Sequence, residues 1–528
     1  MTKVVVAEEI APSGIEALGK AAEVVVLAGA PREELLAALG DADALVVRSA
    51  TDVDAELLAA APTLRVVGRA GIGVDNIDLS AATSRGVMVV NAPQANIISA
   101  AEHTFALLLA QARNVARGDA SLRDGRWERS SLKGIELHGK TLGIIGLGRI
   151  GTLVARRAAA FGMHLLAYDP YVSPESARRL GAEMASLDEV LGAADFITVH
   201  LPKTRETAGL LGAEAFAKMK DGVRIVNASR GGIVDEAALV EAVASGKVGG
   251  AGLDVFDVEP LDPSSPLLTE PRIVLSPHLG ASTTEAQDKA GTDVAAAVVA
   301  ALSGELVASA VNVDFGPPAD EQVTAYLTTA EYLGKLFTSL ARGLPERIEL
   351  KIAGELAEHA CGPLKLAFLK GALAHVSSEH VTYVNAAQLA ADRGIDVVMQ
   401  TSSHSREFLS TVRVSGTLGE RSPSVGATLT TKGPTLIGLD EMEIELPFGA
   451  NMLLIRQDDQ PGVIGRVGTY LGNLGINVAN MVVGRSTVTG HAALMGLDLD
   501  QPLETEQVDE IRSLDGVQKA RFLRFPVV

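Results

Sequence analysis

The sequence KTLGIIGLGRIG, residues 140–151, contains a short apolar run followed directly by the pattern G-x-G-x-x-G. Its glycines are Gly146, Gly148 and Gly151, and an Ala- and Arg-rich stretch with helical periodicity follows them. Glycines in these positions let the backbone approach a pyrophosphate closely, and the helix N-terminus directs its free N–H groups at it. The order strand, glycine turn and helix therefore predicts a Rossmann-type unit that binds a dinucleotide.

The next predicted strand carries an acidic residue at its end. Asp169 lies in Tyr168-Asp169-Pro170, 18 residues after Gly151, close to the separation of about 20 that this type of site requires. A carboxylate there accepts hydrogen bonds from both ribose hydroxyls and repels a 2′-phosphate. We therefore expect NAD rather than NADP as the cofactor.

The alternation of strand and helix extends from the start of the chain to about residue 310. Short β-branched runs are separated by Ala- and Leu-rich amphipathic stretches, which is typical of βαβ units around a mostly parallel sheet. The predicted strands are KVVVAEE, AEVVVLA, ALVVRS, LRVVGRAG and VMVVN, and then KTLGIIG, HLLAYD, FITVH, RIVNAS, GAGLDV and RIVLSPH. One long buried helix is predicted between these groups, over residues 99–114. The fold class is thus α/β, with two doubly wound parallel-sheet domains.

The remainder of the chain has a different pattern. Residues 316–320, Gly-Pro-Pro-Ala-Asp, predict a turn or linker, and residues 320–450 mix helical segments with alternating runs such as TVRVSGTL and SVGATLTT. From residue 451 the order strand, Pro-Gly loop, helix and strand returns, which predicts a compact βαββαβ module of about 75 residues. We therefore expect an α+β domain followed by a small βαββαβ domain.

Composition narrows the function. A chain of 528 residues suggests three or four folded units, and its formal net charge of -19 argues against a nucleic-acid partner. The single cysteine, Cys361, excludes an intrachain disulfide and is predicted to be a small buried side chain. No group of His, Cys and Asp has metal-site spacing. Because neither a signal peptide nor a membrane span is recognisable, we expect a cytoplasmic protein without a membrane partner.

Three polar residues follow predicted strands of the dinucleotide unit, namely Arg230, Glu259 and His278. Carboxyl ends of strands are where ligands of open α/β sheets bind. Oxidation of a 2-hydroxy acid removes a hydroxyl proton while hydride leaves the same carbon, and His278 suits the role of the base. Glu259 is predicted to hold the ring tautomer and favour the imidazolium, and Arg230 to bind the substrate carboxylate and polarise the developing carbonyl.

These segments resemble a known family. RIVNASRGGIVDEAAL, LDVFDVEP, LSPHLGAST and GKTLGIIGLGRIG are similar to the signature of the D-2-hydroxyacid dehydrogenases, in which the matching Arg, Glu and His carry catalysis. The resemblance implies a set of cofactor contacts in the dinucleotide unit. The residues are Gly146, Gly148, Arg149, Ile150, Gly151, Asp169, Ala228, Ser229, Arg230, Asp254, His278, Leu279, Gly280 and Ala281.

The resemblance also identifies a substrate loop in VGRAGIGVDN, residues 67–76. Its members Gly71, Ile72 and Gly73 offer backbone N–H groups that can hold a carboxylate. Three arginines mark the substrate side, and these are Arg48, Arg69 and Arg129. Several cations are expected where a substrate carries both a carboxylate and a phosphate.

Over essentially the whole chain, the sequence resembles the long-form members of this family. The substrate loop, WERSSLKG, the extra middle region and the terminal module carry this likeness. It implies oxidation of 3-phospho-D-glycerate to 3-phosphooxypyruvate with NAD, the entry step to serine synthesis. In such relatives a counterpart of Arg129 reaches the substrate from a neighbouring subunit.

The terminal module resembles an ACT domain, which binds an amino acid between paired copies. Asp459, before the Pro-Gly turn, and Asn477 in LGINVAN match positions that bind serine. Gln457 stands where some members of the ACT family have His, so serine binding differs in strength or mode. A site between copies implies a homo-oligomer, and we expect a tetramer that serine inhibits.

The resemblance divides the chain into domains. The implied division is a substrate-binding domain of residues 1–98 and 283–316, an NAD-binding domain of 99–282, an intervening domain of 317–450 and an ACT domain of 451–528. The first two domains are expected to close across a cleft, with chain crossings near Ile98 and Thr283 as the hinge. The intervening domain is expected to bind an anion or a second substrate molecule, at residues that the sequence does not identify.

Two other functions remain open at this point. The same fold and polar residues suit a reductase of another 2-oxo acid, such as 2-oxoglutarate. A non-catalytic corepressor that senses NAD is a function of a different class. The presence of Arg230, Glu259 and His278 together with an amino-acid-sensing module favours an enzyme.

Overall fold

The computed structural model describes residues 2–313, 321–377, 380–405, 407–485 and 492–525. The predicted linker at residues 316–320 lies outside the described residues. Within the described ranges, no helix combines the length and the apolar composition that a membrane span requires.

The first domain contains five parallel strands in the order β2-β1-β3-β4-β5. Its elements are β1 (Lys3–Val6), α1 (Pro12–Gly19), β2 (Glu23–Val26), α2 (Arg32–Leu39), β3 (Ala44–Val47), α3 (Ala55–Ala60), β4 (Val66–Arg69), α4 (Leu79–Ser84) and β5 (Met88–Asn91). The strand order reverses between β1 and β3. Ligands of doubly wound sheets bind beyond the carboxyl ends of the strands at such a point.

The second domain contains seven parallel strands in the order β12-β11-β10-β9-β6-β7-β8. Its elements are α5 (Ile97–Ala112), α6 (Val115–Arg123), β6 (Thr141–Ile145), α7 (Arg149–Ala160), β7 (His164–Tyr168), α8 (Pro174–Arg178), β8 (Ala182–Met184), α9 (Leu187–Ala193), β9 (Phe196–Val199), α10 (Ala213–Lys218), β10 (Val223–Asn227), α11 (Glu236–Ala244), β11 (Val248–Leu253) and β12 (Ile273–Leu275). The two doubly wound domains confirm the predicted fold class. Sequence reasoning missed the edge strand β8 because it has only three residues.

The chain returns to the first domain through helix α12 (Thr284–Leu302). This helix packs closely on α1, since a Cβ atom on Gly14 would lie 2.8 Å from the backbone of Gly291. At the crossing between the domains, the hydroxyl oxygens of Ser99 and Thr283 are 2.8 Å apart. The two passages of the chain between the domains therefore lie side by side.

A six-stranded mixed sheet follows, in the order β14-β13-β15-β16-β17-β18. Its domain comprises α13 (Glu321–Ala325), α14 (Leu327–Ala341), β13 (Arg347–Gly354), α15 (Gly362–Ala374), α16 (Ala386–Asp392), β14 (Asp396–Ser402), β15 (Ser410–Gly416), β16 (Ser424–Thr430), β17 (Gly433–Leu439) and β18 (Met442–Pro447). The predicted α+β character is confirmed, and Cys361 is buried as expected.

The last domain has the predicted βαββαβ order and a four-stranded antiparallel sheet, β20-β21-β19-β22. Its elements are β19 (Asn451–Asp458), α17 (Val463–Asn473), β20 (Val478–Arg485), β21 (Ala492–Leu499), α18 (Thr505–Arg512) and β22 (Val517–Arg524). Tyr332 of α14 contacts the rings of Phe448 and Phe525. The third and fourth domains therefore share an aromatic core.

Candidate active site

A cleft of about 1040 Å³ lies between the first and second domains, beyond the carboxyl ends of both sheets. Predicted site residues from both domains line it. Those of the first domain are Arg48, Arg69, Gly71, Ile72 and Gly73. Those of the second domain are Ile150, Ala228, Ser229, Arg230, Asp254, Glu259, His278, Leu279, Gly280 and Ala281.

An imidazole and a carboxylate form the centre of the cleft. Nδ1 of His278 lies 2.6 Å from Oε2 of Glu259, while Oε1 of Glu259 accepts a hydrogen bond of 2.9 Å from the Phe256 N–H. A ring that donates from Nδ1 keeps Nε2 as its unprotonated nitrogen when neutral. The carboxylate therefore selects the tautomer in which His278 can accept a proton at Nε2.

Arg230 joins the two domains. Its Nε donates to Oδ2 of Asp75 over 3.0 Å, and its Nη1 donates to the Ser229 carbonyl over 2.7 Å. A Cβ atom on Gly73 would lie 2.1 Å from Nη2 of Arg230, so glycine makes room for the guanidinium in the substrate loop. Apart from its place in that loop, no feature of the sequence indicated a role for Asp75.

Arg69 and Arg48 face the cleft from the first domain. The Arg69 side chain lies across Gly71, whose Cβ, if present, would be 1.6 Å from Arg69 Nη1. Burial lowers the pKa of the Arg69 guanidinium, and the charge of Arg230 lowers it further. The buried Nε of Arg69 has no hydrogen-bond partner. A partly desolvated cation with an unused donor is a ready site for an anionic group.

Asp254 organises the loop that carries His278. Its fully buried carboxylate accepts hydrogen bonds from Ser276 Oγ at 2.6 Å and from the N–H groups of Leu279 and Gly280. His103 Nε2 of helix α5 lies 3.0 Å from the same carboxylate. Burial raises the pKa of Asp254, but the hydrogen bonds with His103 and Ser276 outweigh it and hold that pKa below its ordinary value. Asp254 therefore remains an anion that fixes the loop.

Sequence reasoning missed His103 and Ser276. A histidine inside the long apolar helix predicted over residues 99–114 was the available signal, because a polar side chain on such a helix needs a partner. It also missed His200, which lines the cleft below the glycine turn. Burial lowers the pKa of His200 to about 4, so this ring is neutral near pH 7.

The glycine turn fits a dinucleotide. Gly146 has φ +95°, and a Cβ there would meet the His200 carbonyl oxygen at 2.5 Å, while a Cβ on Gly151 would meet the Gly146 carbonyl oxygen at 2.1 Å. At Gly148, which immediately precedes helix α7, a Cβ would meet no atom within 4 Å. The fold therefore requires glycine at positions 146 and 151 but not at position 148. The free space at Gly148 adjoins the N–H groups of the helix, where a pyrophosphate binds.

The acidic residue predicted for ribose recognition lies beside this turn. Oδ2 of Asp169 accepts a hydrogen bond of 2.8 Å from the Leu147 N–H, and Oδ1 accepts one of 2.9 Å from the Tyr171 N–H. Asp169 follows strand β7, adjacent to β6. Its position at the end of the neighbouring strand suits contact with the ribose hydroxyls of NAD.

Two predicted arginines lie elsewhere. Arg149 is exposed and donates from Nη1 to the Pro93 carbonyl oxygen over 3.1 Å, across the domain boundary. Arg129 is exposed in the irregular segment after α6 and does not line the cleft of its own chain. Within one chain, Arg48 and Arg69 therefore line the cleft, and Arg129 does not.

The two predicted serine-binding residues are also apart. Asp459 follows the end of β19 and pairs with Arg485 at the end of β20, with Nε and Oδ2 separated by 3.0 Å. Asn477 precedes the start of β20 and donates to Asp500 over 2.7 Å. Because β19 and β20 are both antiparallel to β21, these two residues lie at opposite ends of the sheet. Gln457 is buried, and its Oε1 has no hydrogen-bond partner.

Among the described residues, no group of three or more His, Cys, Asp or Glu side chains has an arrangement suited to a metal ion. The His278–Glu259 pair is arranged for proton transfer, and Arg69 and Arg230 line the cleft as cations that can bind an anion. This arrangement can accept a hydroxyl proton at His278 beside a site for a dinucleotide.

Family models match three parts of the chain. Residues 105–280 match the D-isomer specific 2-hydroxyacid dehydrogenase NAD binding domain, residues 322–439 the D-3-phosphoglycerate dehydrogenase intervening domain, and residues 451–516 the ACT domain. These matches identify the second domain as the one that binds NAD.

Individual proteins are similar over almost the whole chain. D-3-phosphoglycerate dehydrogenase of Mycobacterium leprae is 50% identical over 504 residues, which cover 94% of this chain and 95% of that protein. The enzyme of the same name from Synechocystis is 43% identical over 524 residues, which cover 98% and 94%.

A solved structure resembles the first two domains together. D-lactate dehydrogenase from Aquifex aeolicus, complexed with NAD and lactic acid, has a TM-score of 0.51 and 30% identity, and the match covers 57% of this chain and 96% of that one. The chain belongs to the D-3-phosphoglycerate dehydrogenase family and is an NAD-dependent dehydrogenase of 2-hydroxy acids.

Proposed function

We propose that this chain oxidises 3-phospho-D-glycerate to 3-phosphooxypyruvate with NAD, as the first step of serine synthesis. The observation that carries the proposal is the half-buried Arg69, which lines the same cleft as the His278–Glu259 pair. Lactate carries one anionic group, whereas phosphoglycerate carries two. Arg230 is assigned to the carboxylate, and Arg48 and Arg69 to the phosphate.

The chain's own residues then perform the proton transfer. Nε2 of His278 accepts the hydroxyl proton of the substrate, and Glu259 stabilises the imidazolium that forms. Arg230 orients the carboxylate and stabilises negative charge on the oxygen that becomes a carbonyl. When bound, NAD accepts the hydride from the substrate carbon. In the reverse reaction His278 returns the proton to that oxygen.

We assign the cofactor contacts to the second domain, and the geometry of its glycine turn supports this assignment. Gly146, Gly148, Arg149, Ile150 and Gly151 form the turn and helix start that would hold the pyrophosphate, and Asp169 would hold a ribose. The nicotinamide end is assigned to the loop after β10, to Asp254 and to the loop that Asp254 organises. These residues are Ala228, Ser229, Arg230, Asp254, His278, Leu279, Gly280 and Ala281.

We assign substrate binding to residues 1–98 and 283–316, NAD binding to 99–282, an intervening role to 317–450 and regulation to 451–528. The adjacent crossings at Ser99 and Thr283 support a hinge at the boundary of the first two domains. Closure about this hinge excludes water from the cleft during turnover.

Serine is proposed as a feedback inhibitor that binds between two copies of the last domain. Asp459 and Asn477 lie at opposite ends of one sheet, so a single copy cannot use both for one amino acid. A pair of copies related by a two-fold axis offers Asp459 from one and Asn477 from the other. We therefore propose a homotetramer in the cytoplasm, in which Arg129 reaches the cleft of a neighbouring subunit.

A steady-state assay of a panel of 2-hydroxy acids tests the substrate. We expect the highest kcat/KM for 3-phospho-D-glycerate with NAD, and much lower values for lactate, glycerate and 2-hydroxyglutarate. A higher kcat/KM for one of these acids, or for NADP as cofactor, would refute the proposal.

A further inference from the structure

A second, smaller cavity lies at the opposite end of the NAD-domain sheet from the catalytic cleft. We call it the basic pocket; its volume is about 130 Å³ and its lining includes Gln111, Asn114, Arg117, Lys133, Arg224 and Arg272. Arg224 lies near the start of β10, whereas the catalytic Arg230 follows the end of the same strand. A strand of five residues separates the two ends by roughly 16 Å, so the basic pocket is not part of the cleft.

The charges of the basic pocket are not balanced. Arg272 pairs with Glu270 through Nε–Oε1 and Nη2–Oε2 contacts of 2.8 and 3.0 Å. Arg224 instead donates from Nη1 to the Gln111 carbonyl oxygen, and Arg117 donates to the Asn114 side chain, which is also neutral. Burial and then the nearby charge of Arg117 lower the pKa of Arg224. In a chain of net charge -19, this local excess of cations is unusual.

The backbone leaves space for the half-buried side chain of Arg224. A Cβ atom on Gly250 would lie 2.8 Å from Arg224 Nη1 and 3.3 Å from Gln111 Oε1, so glycine in β11 leaves room for both groups. Gln111 is only 2% exposed, and its Oε1 has no hydrogen-bond partner. Nε2 of Gln111 donates to the Ile225 carbonyl oxygen over 3.0 Å, which fixes the orientation of the amide. The basic pocket therefore combines unneutralised cations with a wall that the Gln111 side chain holds in place.

The dimensions restrict the ligand. The basic pocket has a volume of about 130 Å³, against about 1040 Å³ for the catalytic cleft. The smaller space suits a tetrahedral oxyanion better than a nucleotide. We propose that the basic pocket binds a phosphate-type oxyanion, held by Arg117, Lys133 and Arg224.

Equilibrium dialysis of the full chain against radiolabelled inorganic phosphate measures this site. We expect the wild type to bind one more phosphate per chain than the Arg117→Ala/Lys133→Ala variant, or to bind it at least about ten-fold more tightly. The catalytic cleft also attracts phosphate, so an Arg48→Ala/Arg69→Ala variant is measured in parallel. It is expected to retain the phosphate of the basic pocket.

A matched control is Arg123→Ala, because Arg123 lies on the same helix as Arg117 but pairs with Asp119 at the surface. This variant is expected to bind phosphate as the wild type does. Thermal unfolding without phosphate checks that the variants are folded, and added phosphate should raise Tm more for wild type and Arg123→Ala than for the double variant. If the double variant fails to fold, the exposed Lys133→Ala change alone should weaken binding several-fold.

Equal phosphate stoichiometry and affinity in wild type and the double variant would overturn the proposal. Glycerol 3-phosphate, used in the same dialysis as a competitor, identifies the source of the oxyanion. If glycerol 3-phosphate displaces the labelled phosphate from the Arg48→Ala/Arg69→Ala variant, the basic pocket is a site for the phosphoryl group of a metabolite. Retention of inorganic phosphate in its presence indicates a site for the free anion.

Discussion

Nδ1 of His278 lies 2.6 Å from Oε2 of Glu259, and the other oxygen of that carboxylate is held by the Phe256 N–H. The loop of Glu259 thus fixes the carboxylate independently of its contact with the imidazole. Such a fixed acceptor determines which ring nitrogen carries the proton.

Replacement of Glu259 by Gln should lower kcat by about 10²-fold to 10⁴-fold, because an amide can stabilise the wrong tautomer and provides no charge for the imidazolium. KM for both substrates should change much less, since Glu259 contacts His278 rather than the ligands. Steady-state kinetics checks this, with His278→Asn as the reference for complete loss of the base. A kcat within a factor of two of wild type would contradict the assigned role.

Replacement of Gly148 by Ala should raise KM for NAD about ten-fold or more while Tm stays unchanged, because the added methyl group meets no protein atom within 4 Å but enters the space proposed for the pyrophosphate. Gly151→Ala provides the contrast. Its methyl group would collide with the Gly146 carbonyl, so this variant should lose stability as well. Unchanged NAD kinetics in Gly148→Ala would place the pyrophosphate elsewhere.

Replacement of Arg69 by Ala should raise KM for 3-phosphoglycerate by roughly 10-fold to 100-fold with a smaller effect on kcat, because a phosphate contact is lost. Arg65→Ala is a matched control, since Arg65 precedes the same strand and donates to the Leu302 carbonyl far from the cleft. The two variants are compared in one assay at constant ionic strength. An equal KM in both would remove Arg69 from the phosphate site.

The pH dependence of stability should contain a contribution from His200. Its pKa in the folded chain is lowered to about 4 from 6.5, so the unfolded chain binds more protons between these values. This contribution to stability is therefore complete above about pH 6.5 and is lost as the pH falls towards 4, by about 2 kcal/mol at pH 5. Urea unfolding of wild type and His200→Gln at pH 7 and pH 5 measures it. The decrease in stability should be smaller in the variant, and equal decreases would contradict the assignment.

Serine inhibition should depend on two different copies of the last domain. Asp459→Ala and Asn477→Ala homo-oligomers should each lose the response to serine, because every site lacks one contact. Mixed oligomers, formed by refolding or coexpression of the two variants, should regain a partial response, since some paired sites then contain both residues. No recovery in mixed oligomers of demonstrated composition would contradict a site shared between copies. Thermal unfolding of each variant controls for loss of folding.

Much of this architecture could be predicted from local sequence. Gly146 and Gly151 meet constraints within one strand-turn-helix unit, and Arg230, Glu259 and His278 follow strands whose carboxyl ends converge by topology. The link between Arg230 and Asp75 was not predictable, because it depends on the relative position of two domains. The contact of His103 with Asp254 likewise joins a helix to a loop 151 residues away.

The basic pocket could not be predicted from the sequence either. Arg117, Lys133, Arg224 and Arg272 are distributed over three separate parts of the sequence, and no motif contains more than one of them. The packing of α5 and of the segment that follows it against the sheet brings them together. Burial of Gln111 and the lowered pKa of Arg224 are consequences of that packing.

The chain crosses between the first two domains twice, side by side at Ser99 and Thr283. This arrangement affects how the binding of different ligands is coupled. With the proposed hinge at this place, the two domains would rotate about one axis that passes through both crossings. Cofactor, substrate and any effector that favours the open or the closed arrangement would then act on the same angle. Their free energies of binding would be coupled through that angle, without a chain of contacts between their sites.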